Sequence, residues 1–159
     1  MEEAQTRPMK RVQDSETTFT EIVIPSHLNG KNRLFGGQLM NWMDVVASVA
    51  ARRHAGGNVT TARIEEVEFL VPARQNDTVF VTGHVCYVGR SSMTVNVCVF
   101  IEALDGTRTL ANRARFILVG LDENERPAPV PGLILETEEQ RREWAEAEEA
   151  ALRLKKAKQ

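Results

Sequence analysis

Hydrophobic and polar residues alternate along much of the chain, which is the pattern of half-buried β-strands. The alternation first appears, loosely, near the N-terminus at Phe19, Ile22 and Ile24. It returns after residue 58 in four consecutive segments. The turn dipeptides Gly89-Arg90 and Asp105-Gly106 lie between the last three of these segments. The pattern predicts five strands: Thr18–Ile24, Val59–Leu70, Thr78–Val88, Met93–Leu104 and Arg108–Leu121.

The segment between the first and second predicted strands has a different pattern. From Gln38 to about His54, apolar residues occur on nearly every side of a helix, and Gly56-Gly57 would end it. A helix that is apolar all round is usually buried. The order of one strand, one long helix and four strands predicts an α+β fold, in which an antiparallel sheet carries the helix on one face.

Both ends of the chain differ from this middle part. Residues 1–17 are polar and lack the apolar stretch of a secretory signal, which predicts a flexible leader. Residues 122–136 contain three alternating prolines, which predict a stiff connector without secondary structure. Residues 137–159 predict a C-terminal charged helix, because Thr137 and Gln140 have the spacing of a capping box.

The predicted C-terminal helix has a narrow apolar stripe and an otherwise charged surface. Two interpretations stay open for it: docking on its own or a neighbouring subunit, or a solvated helix. The stripe consists of Trp144, Ala147, Ala151 and Leu154.

Composition restricts the classes of function. The chain has 159 residues, which favours one domain, and a formal net charge of −2, which disfavours nucleic-acid binding. No apolar run is long enough for a membrane span, so a cytoplasmic protein is expected. Cys86 and Cys98 lie in apolar strand segments and are predicted to be buried, reduced thiols.

The three histidines predict no metal site, because none has a ligand partner at a suitable spacing. His27 is expected to be a satisfied loop residue. His54 lies at a helix C-terminus, where a partial positive charge is favoured. His84 is expected to face solvent.

The few polar residues of the long helix are the candidates for chemistry. Asn41, Asp44 and Ser48 share one narrow stripe, and a carboxylate on such a helix is costly unless it is paired. A residual solvent-facing stripe would explain Asp44 equally well. Gly36-Gly37 favours a functional interpretation, because a glycine-rich helix start offers free amides to an anion or to a developing oxyanion.

These residues form part of a longer similarity. The segment from Asn29 to Asp44 (NGKNRLFGGQLMNWMD) resembles the start of hotdog-fold acyl-CoA hydrolases, the class that includes bacterial YciA-type and mammalian cytosolic acyl-CoA thioesterases. The similarity covers about residues 18–121, the predicted hotdog domain. It continues in three further motifs: Arg53-His-Ala-Gly56, Phe69-Leu-Val-Pro72 and Val88-Gly-Arg-Ser-Ser-Met-Thr-Val95.

The resemblance implies a curved antiparallel sheet wrapped around one central helix. It also implies subunits that pair edge to edge, a trimer of dimers as the usual assembly, and active sites at subunit interfaces. The chain departs from many relatives at Asn32, where they have glycine, and at Ser91, where threonine is frequent. Asparagine tolerates the left-handed conformation, so the loop shape is expected to survive.

The resemblance also assigns roles to individual residues. Asp44 matches the catalytic aspartate, and Asn29 the loop asparagine that helps to place the water or the thioester carbonyl. Gly37 is the candidate for the oxyanion-binding amide, and Gly36 shapes the turn. The segment that meets coenzyme A consists of Arg90, Ser91 and Ser92.

The implied reaction is the hydrolysis of acyl-CoA, without a cofactor, with Asp44 as general base or as nucleophile. Trp42 and Met43 would line an acyl chamber or belong to the plain core. A non-catalytic acyl-CoA sensor is an alternative. A hydratase or dehydratase is disfavoured, because the loop His27-Leu-Asn-Gly-Lys-Asn32 lacks the histidine of those enzymes.

Overall fold

A computed structural model of the protein describes residues 6–158, and it contains seven strands and two long helices within that range. The predicted antiparallel sheet, long helix and C-terminal helix are confirmed. In chain order the elements are β1 Met9–Arg11, β2 Thr17–Ile22, α1 Gly36–Ala55, β3 Val59–Phe69, β4 Thr78–Val88, β5 Ser92–Glu102, β6 Arg108–Gly120, β7 Gly132–Ile134 and α2 Glu138–Ala157.

Five strands form one antiparallel sheet in the order β2-β4-β5-β6-β3, which leaves β2 and β3 at its edges. Helix α1 packs on one face, where Met43, Val46 and Ala47 are fully buried. Gly83 of β4 allows this close packing, since a Cβ there would lie 2.9 Å from Cγ1 of Val46. The helix ends at Gly56, whose φ of 69° caps it in the left-handed conformation.

The predictions of an unstructured leader and an unstructured connector are wrong for parts of both segments. Strand β1 pairs in parallel with β7, so the N-terminal residues and the connector stabilise each other. Val12 and Ser15 are buried beyond β1, and the Ser15 hydroxyl accepts a hydrogen bond from the Val85 amide at 2.9 Å. Residues 1–5 of the predicted leader lie outside the described residues, and the boundaries of domain 18–121 stay a prediction.

Helix α2 packs on the outer face of the sheet of its own chain, opposite α1. The ring of Trp144 lies 4.5 Å from the ring of Tyr87 on β4, and Ala147 is buried. The predicted capping box is present, because Thr137 accepts from the Gln140 amide and the Gln140 side chain accepts from the Thr137 amide. The docked interpretation of the apolar stripe therefore holds for the first half of the helix.

The expectation that His84 faces solvent is wrong. Its Nε2 lies 2.7 Å from Oε2 of Glu143 on α2, and both side chains are largely covered. Burial would lower the pKa of His84, but the hydrogen bond and the negative charge of Glu143 outweigh burial and raise the pKa above its ordinary value. This pair connects α2 to the sheet.

We expect Glu143→Gln to lower the free energy of unfolding by about 1 kcal/mol in mildly acidic solution. Because the pKa of His84 is raised in the folded state, the stabilisation is complete below 6.5, the ordinary pKa, and is lost as pH rises through the folded pKa. Urea unfolding of both proteins at about pH 6 and about pH 9 measures the difference. An equal difference at both pH values would contradict this origin.

Two further expectations are corrected by burial. His54 is fully buried with Nε2 2.8 Å from the Pro131 carbonyl oxygen, and burial lowers its pKa, which opposes the expected positive charge. Cys86 is buried as predicted, whereas Cys98 is only half-buried. Burial raises the pKa of both thiols.

None of the helices within residues 6–158 combines the length and the hydropathy that a membrane crossing requires.

Candidate active site

The loop before α1 is held in shape by Asn29. Its side-chain Oδ1 accepts hydrogen bonds from the amides of Lys31 at 2.8 Å and Arg33 at 3.2 Å, and its own amide donates to the Arg33 carbonyl. Asn32 has a φ of 58°, so the expected left-handed conformation is confirmed at the position where many relatives have glycine. The Asn29 side chain is exposed, which leaves its Nδ2 group available to a ligand.

Helix α1 starts directly after this loop, at Gly36, two residues earlier than predicted. No side chain caps the helix start, so the first backbone amides are free to donate to a ligand. Gly37 is exposed, and a Cβ at this position would lie 2.5 Å from Cε1 of Phe35. A larger residue at position 37 would require the exposed Phe35 ring to move away from the start of the helix.

A mostly apolar groove of about 270 Å³ adjoins the loop and the helix start. Asn112, only 3% exposed, is a polar residue in its wall and donates Nδ2 to the Glu68 carbonyl at 3.2 Å. Trp42 and Met43 lie in the core and are absent from the groove, which supports the plain-core interpretation. The groove is lined by Asn29, Arg33, Leu34, Gly36, Leu39, Phe69, Leu70, Val71, Pro72, Ala73 and Asn112.

Asp44 lies two turns into α1 and is half-buried. Its Oδ1 accepts a hydrogen bond of 2.8 Å from the Thr61 hydroxyl on β3. This bond fixes one carboxylate oxygen and leaves the other free. Sequence reasoning missed Thr61, because a threonine in a strand is explained by β-propensity alone. The pairing of α1 with β3 was the missing information.

The turn that contains Arg90, Ser91 and Ser92 lies at the other end of the molecule. The Arg90 carbonyl accepts from the Val130 amide, and the next residue, Pro131, contacts His54 at the C-terminal end of α1. His54 is 18 residues from Gly36, a distance of about 27 Å along the helix. One chain therefore brings Asn29 and Gly36 together, and Asp44 with Thr61, but it does not unite all the predicted residues.

Strand β3 is an edge strand with an unusual number of exposed apolar side chains. Phe69 is 62% exposed and Val67 36%, and Leu70 and Val71 follow them in the chain. The strand is also irregular, since its register with β6 shifts twice and Glu66 has a φ of 54°. An edge strand of 11 residues that exposes Ile64, Val67 and Phe69 is a template for pairing with another strand.

Comparisons with known proteins are consistent with one family. The model of the thioesterase superfamily matches residues 31–105. The uncharacterized acyl-CoA thioester hydrolase YkhA of Bacillus subtilis is 42% identical over 141 residues, which is 88% of this chain and 80% of YkhA.

Solved structures share the fold over nearly the whole chain. An acyl-CoA hydrolase from Staphylococcus aureus, in complex with butyryl coenzyme A and coenzyme A, superimposes with a TM-score of 0.89 at 32% identity, covering 95% of this chain and 93% of that one. The same enzyme has also been solved as alanine variants of an asparagine, an aspartate and a threonine.

An apo-hexameric acyl-CoA thioesterase is similarly close, with a TM-score of 0.90 at 34% identity over 94% of this chain and 97% of that one. The identity to YkhA extends over most of both chains, and the fold agrees with the enzymes of known structure. The chain therefore belongs to the thioesterase superfamily, in its branch of hotdog-fold acyl-CoA thioester hydrolases.

Proposed function

We propose that the protein hydrolyses acyl-CoA to a carboxylic acid and free coenzyme A. The observation that carries this proposal is the half-buried Asp44 carboxylate held by Thr61, on the same helix whose free N-terminal amides adjoin Asn29. A fixed carboxylate can activate water, and amide donors can stabilise the oxyanion that forms on a thioester carbonyl. The reaction uses water and needs no cofactor.

We propose that two subunits pair through their β3 edges around a two-fold axis. Antiparallel pairing places the Val59 end of β3 in one subunit beside the Phe69 end in its partner. Thr61 lies near the first end, and a Cβ at Gly36 would lie 4.0 Å from the Phe69 ring at the second. The exposed apolar side chains of β3 support this pairing, because a dimer would cover them.

Such pairing would complete the site from two chains. Asp44 and Thr61 of one subunit would face Asn29, Gly36 and Gly37 of the other. Asn29 would orient the water or the carbonyl through its free Nδ2 group, and the Gly37 amide would donate to the oxyanion. The apolar groove beside Asn29 would take part of the acyl chain.

The proposed chemistry breaks one C–S bond and forms one C–O bond. In the general-base route Asp44 takes a proton from water, the hydroxide equivalent attacks the carbonyl carbon, and coenzyme A leaves as a thiolate. Thiols have pKa values of about 8.5, so the leaving group requires no strong acid. In the nucleophilic route Asp44 attacks directly and water then hydrolyses the resulting anhydride. Single-turnover hydrolysis in ¹⁸O-water tests the second route, since ¹⁸O enters the Asp44 carboxylate only if an anhydride forms and water attacks its aspartyl carbonyl.

The turn of Arg90, Ser91 and Ser92 is proposed to bind the phosphate groups of coenzyme A. The Arg90 side chain is exposed, and the two serines carry hydroxyl groups that donate to phosphate oxygens.

The related enzymes support the same proposal. Three residue types replaced in the S. aureus acyl-CoA hydrolase, namely asparagine, aspartate and threonine, are the types of Asn29, Asp44 and Thr61. A hexamer is described for a close structural neighbour. We therefore propose a homohexamer built as a trimer of dimers.

The experiment that tests the function is thiol release from a panel of short to long acyl-CoAs. We expect turnover, and the panel reports which chain lengths the groove accepts. Acyl-CoA binding measured in parallel distinguishes a hydrolase from a non-catalytic sensor, since both bind acyl-CoA but only the hydrolase releases thiol. Binding without release of thiol from any substrate would replace the hydrolase by that sensor.

A further inference from the structure

Every backbone carbonyl of the turn Gly89–Ser92 accepts a hydrogen bond. The Ser92 oxygen accepts from the Gly89 amide at 2.9 Å, the Ser91 oxygen from Gly120 at 2.8 Å, and the Arg90 oxygen from Val130 at 2.9 Å. The fourth carbonyl, that of Gly89, accepts from Nη2 of Arg7 at 2.6 Å. It is the only one of the four that depends on a side chain.

The Arg7 guanidinium joins two segments. Its Nε donates to the Val130 carbonyl at 2.9 Å and its Nη2 donates to the Gly89 carbonyl, so one planar group connects the turn with the proline-rich segment. Val130 also donates its amide to Arg90. The rigid fork of arginine suits such a bridge, whereas lysine offers a single point of donation.

Strand β1 fixes the position of Arg7. The Gly132 amide donates to the Pro8 carbonyl at 2.8 Å, next to Arg7 in the chain. Lys10 of β1 donates Nζ to the Arg53 carbonyl at the end of α1, at 2.9 Å. The N-terminal segment is therefore attached both to β7 and to the helix, and Arg7 projects from this base to the turn.

We infer that Arg7 is a positioning residue for coenzyme A. Its guanidinium donates to the carbonyls of Gly89 and Val130, and it thereby holds the Gly89–Ser92 turn in the conformation in which Arg90, Ser91 and Ser92 meet the phosphates. The inference rests on the proposed function, which assigns those three residues to coenzyme A. Its effect is confined to the nucleotide half of the substrate, because Asp44 and Thr61 are held by other contacts.

The test compares two substrates with the same acyl group, one an acyl-CoA and the other an acyl-pantetheine thioester without the nucleotide. Arg7→Met is expected to raise KM for acyl-CoA about three- to tenfold, with kcat unchanged. Its kcat/KM for the acyl-pantetheine is expected to equal that of the wild type. The KM of Arg7→Lys for acyl-CoA should lie between the values of the wild type and Arg7→Met, because lysine offers a single point of donation in place of the two guanidinium donors.

Arg108→Met is the matched control, since it also removes an arginine, and its ion pair with Glu102 lies at the end of β5 opposite the turn. It should leave both KM values unchanged. If Arg7→Met lowered kcat/KM equally for acyl-CoA and for the acyl-pantetheine, the role of Arg7 would be merely structural and the inference would be overturned. An unchanged KM for acyl-CoA would also overturn it.

A calorimetric titration with coenzyme A itself keeps the two proposals separate. Weaker coenzyme A binding by Arg7→Met, about three- to tenfold, supports the positioning role even if the wild type released no thiol. Equal coenzyme A affinity in wild type and Arg7→Met would overturn it even if the wild type is an active hydrolase.

Discussion

Asp44→Asn is expected to lower kcat for acyl-CoA hydrolysis by about 10³-fold. The amide has the shape of the carboxylate and can still accept the Thr61 hydrogen bond, but it cannot take a proton from water or attack a thioester. Substrate affinity and thermal stability should stay close to those of the wild type. Steady-state thiol release, calorimetric binding of a non-hydrolysable acyl-CoA thioether and thermal denaturation measure the three quantities.

Asn41→Ala is the matched control, because Asn41 lies one turn before Asp44 on the same stripe of the helix and is exposed. It should retain nearly full activity. Thr61→Val should give a graded effect of about tenfold in kcat, since it removes one hydrogen bond from the carboxylate but keeps the volume. A fall of less than tenfold in Asp44→Asn would exclude Asp44 as base and as nucleophile.

Val67→Lys is expected to separate the subunits and to remove activity by at least about 100-fold. Val67 lies on the exposed edge strand β3, and lysine on an edge strand opposes pairing. A two-fold interface would contain the substitution twice, so two unpaired charges would have to be buried. Since each proposed site takes Asp44 from one subunit and Asn29 from the other, separated subunits would have no complete site.

Light scattering coupled to size-exclusion chromatography gives the mass of the assembly, and thiol release gives its activity. Thr109→Lys serves as control, because Thr109 is an exposed position of β6 that lies beyond the end of β3. This control should keep both the mass and the activity of the wild type. A Val67→Lys protein that is smaller yet fully active would place the whole site within one chain.

The central architecture was predictable because local pattern and packing agree there. Period-two alternation located all five strands of the sheet, and the all-round apolar helix had only one place to be buried, against that sheet. The left-handed conformation of Asn32 was predictable through the resemblance, because many relatives have glycine at this position and asparagine tolerates a φ of 58°. The strands and the helix depend on neighbours in the sequence.

Long-range contacts could not be predicted in the same way. The strand β1 is only three residues long, and its partner β7 lies more than 120 positions away. A buried His54 and a paired His84 required knowledge of what packs above each ring. Thr61 is the clearest example of an unpredictable site residue, because its hydroxyl can donate to Asp44 only when β3 lies beside α1.

The pairing of β1 with β7 has a consequence for synthesis on the ribosome. Arg7 and Val130 are 123 positions apart, so Arg7 is synthesised long before its partner exists. The sheet and α1 can assemble from residues 17–120 during that time. The N-terminal strand and the turn that it holds are then expected to become ordered last. Pulse-labelled amide exchange during refolding should therefore protect the amide of Gly132 later than the amides of β4 and β5.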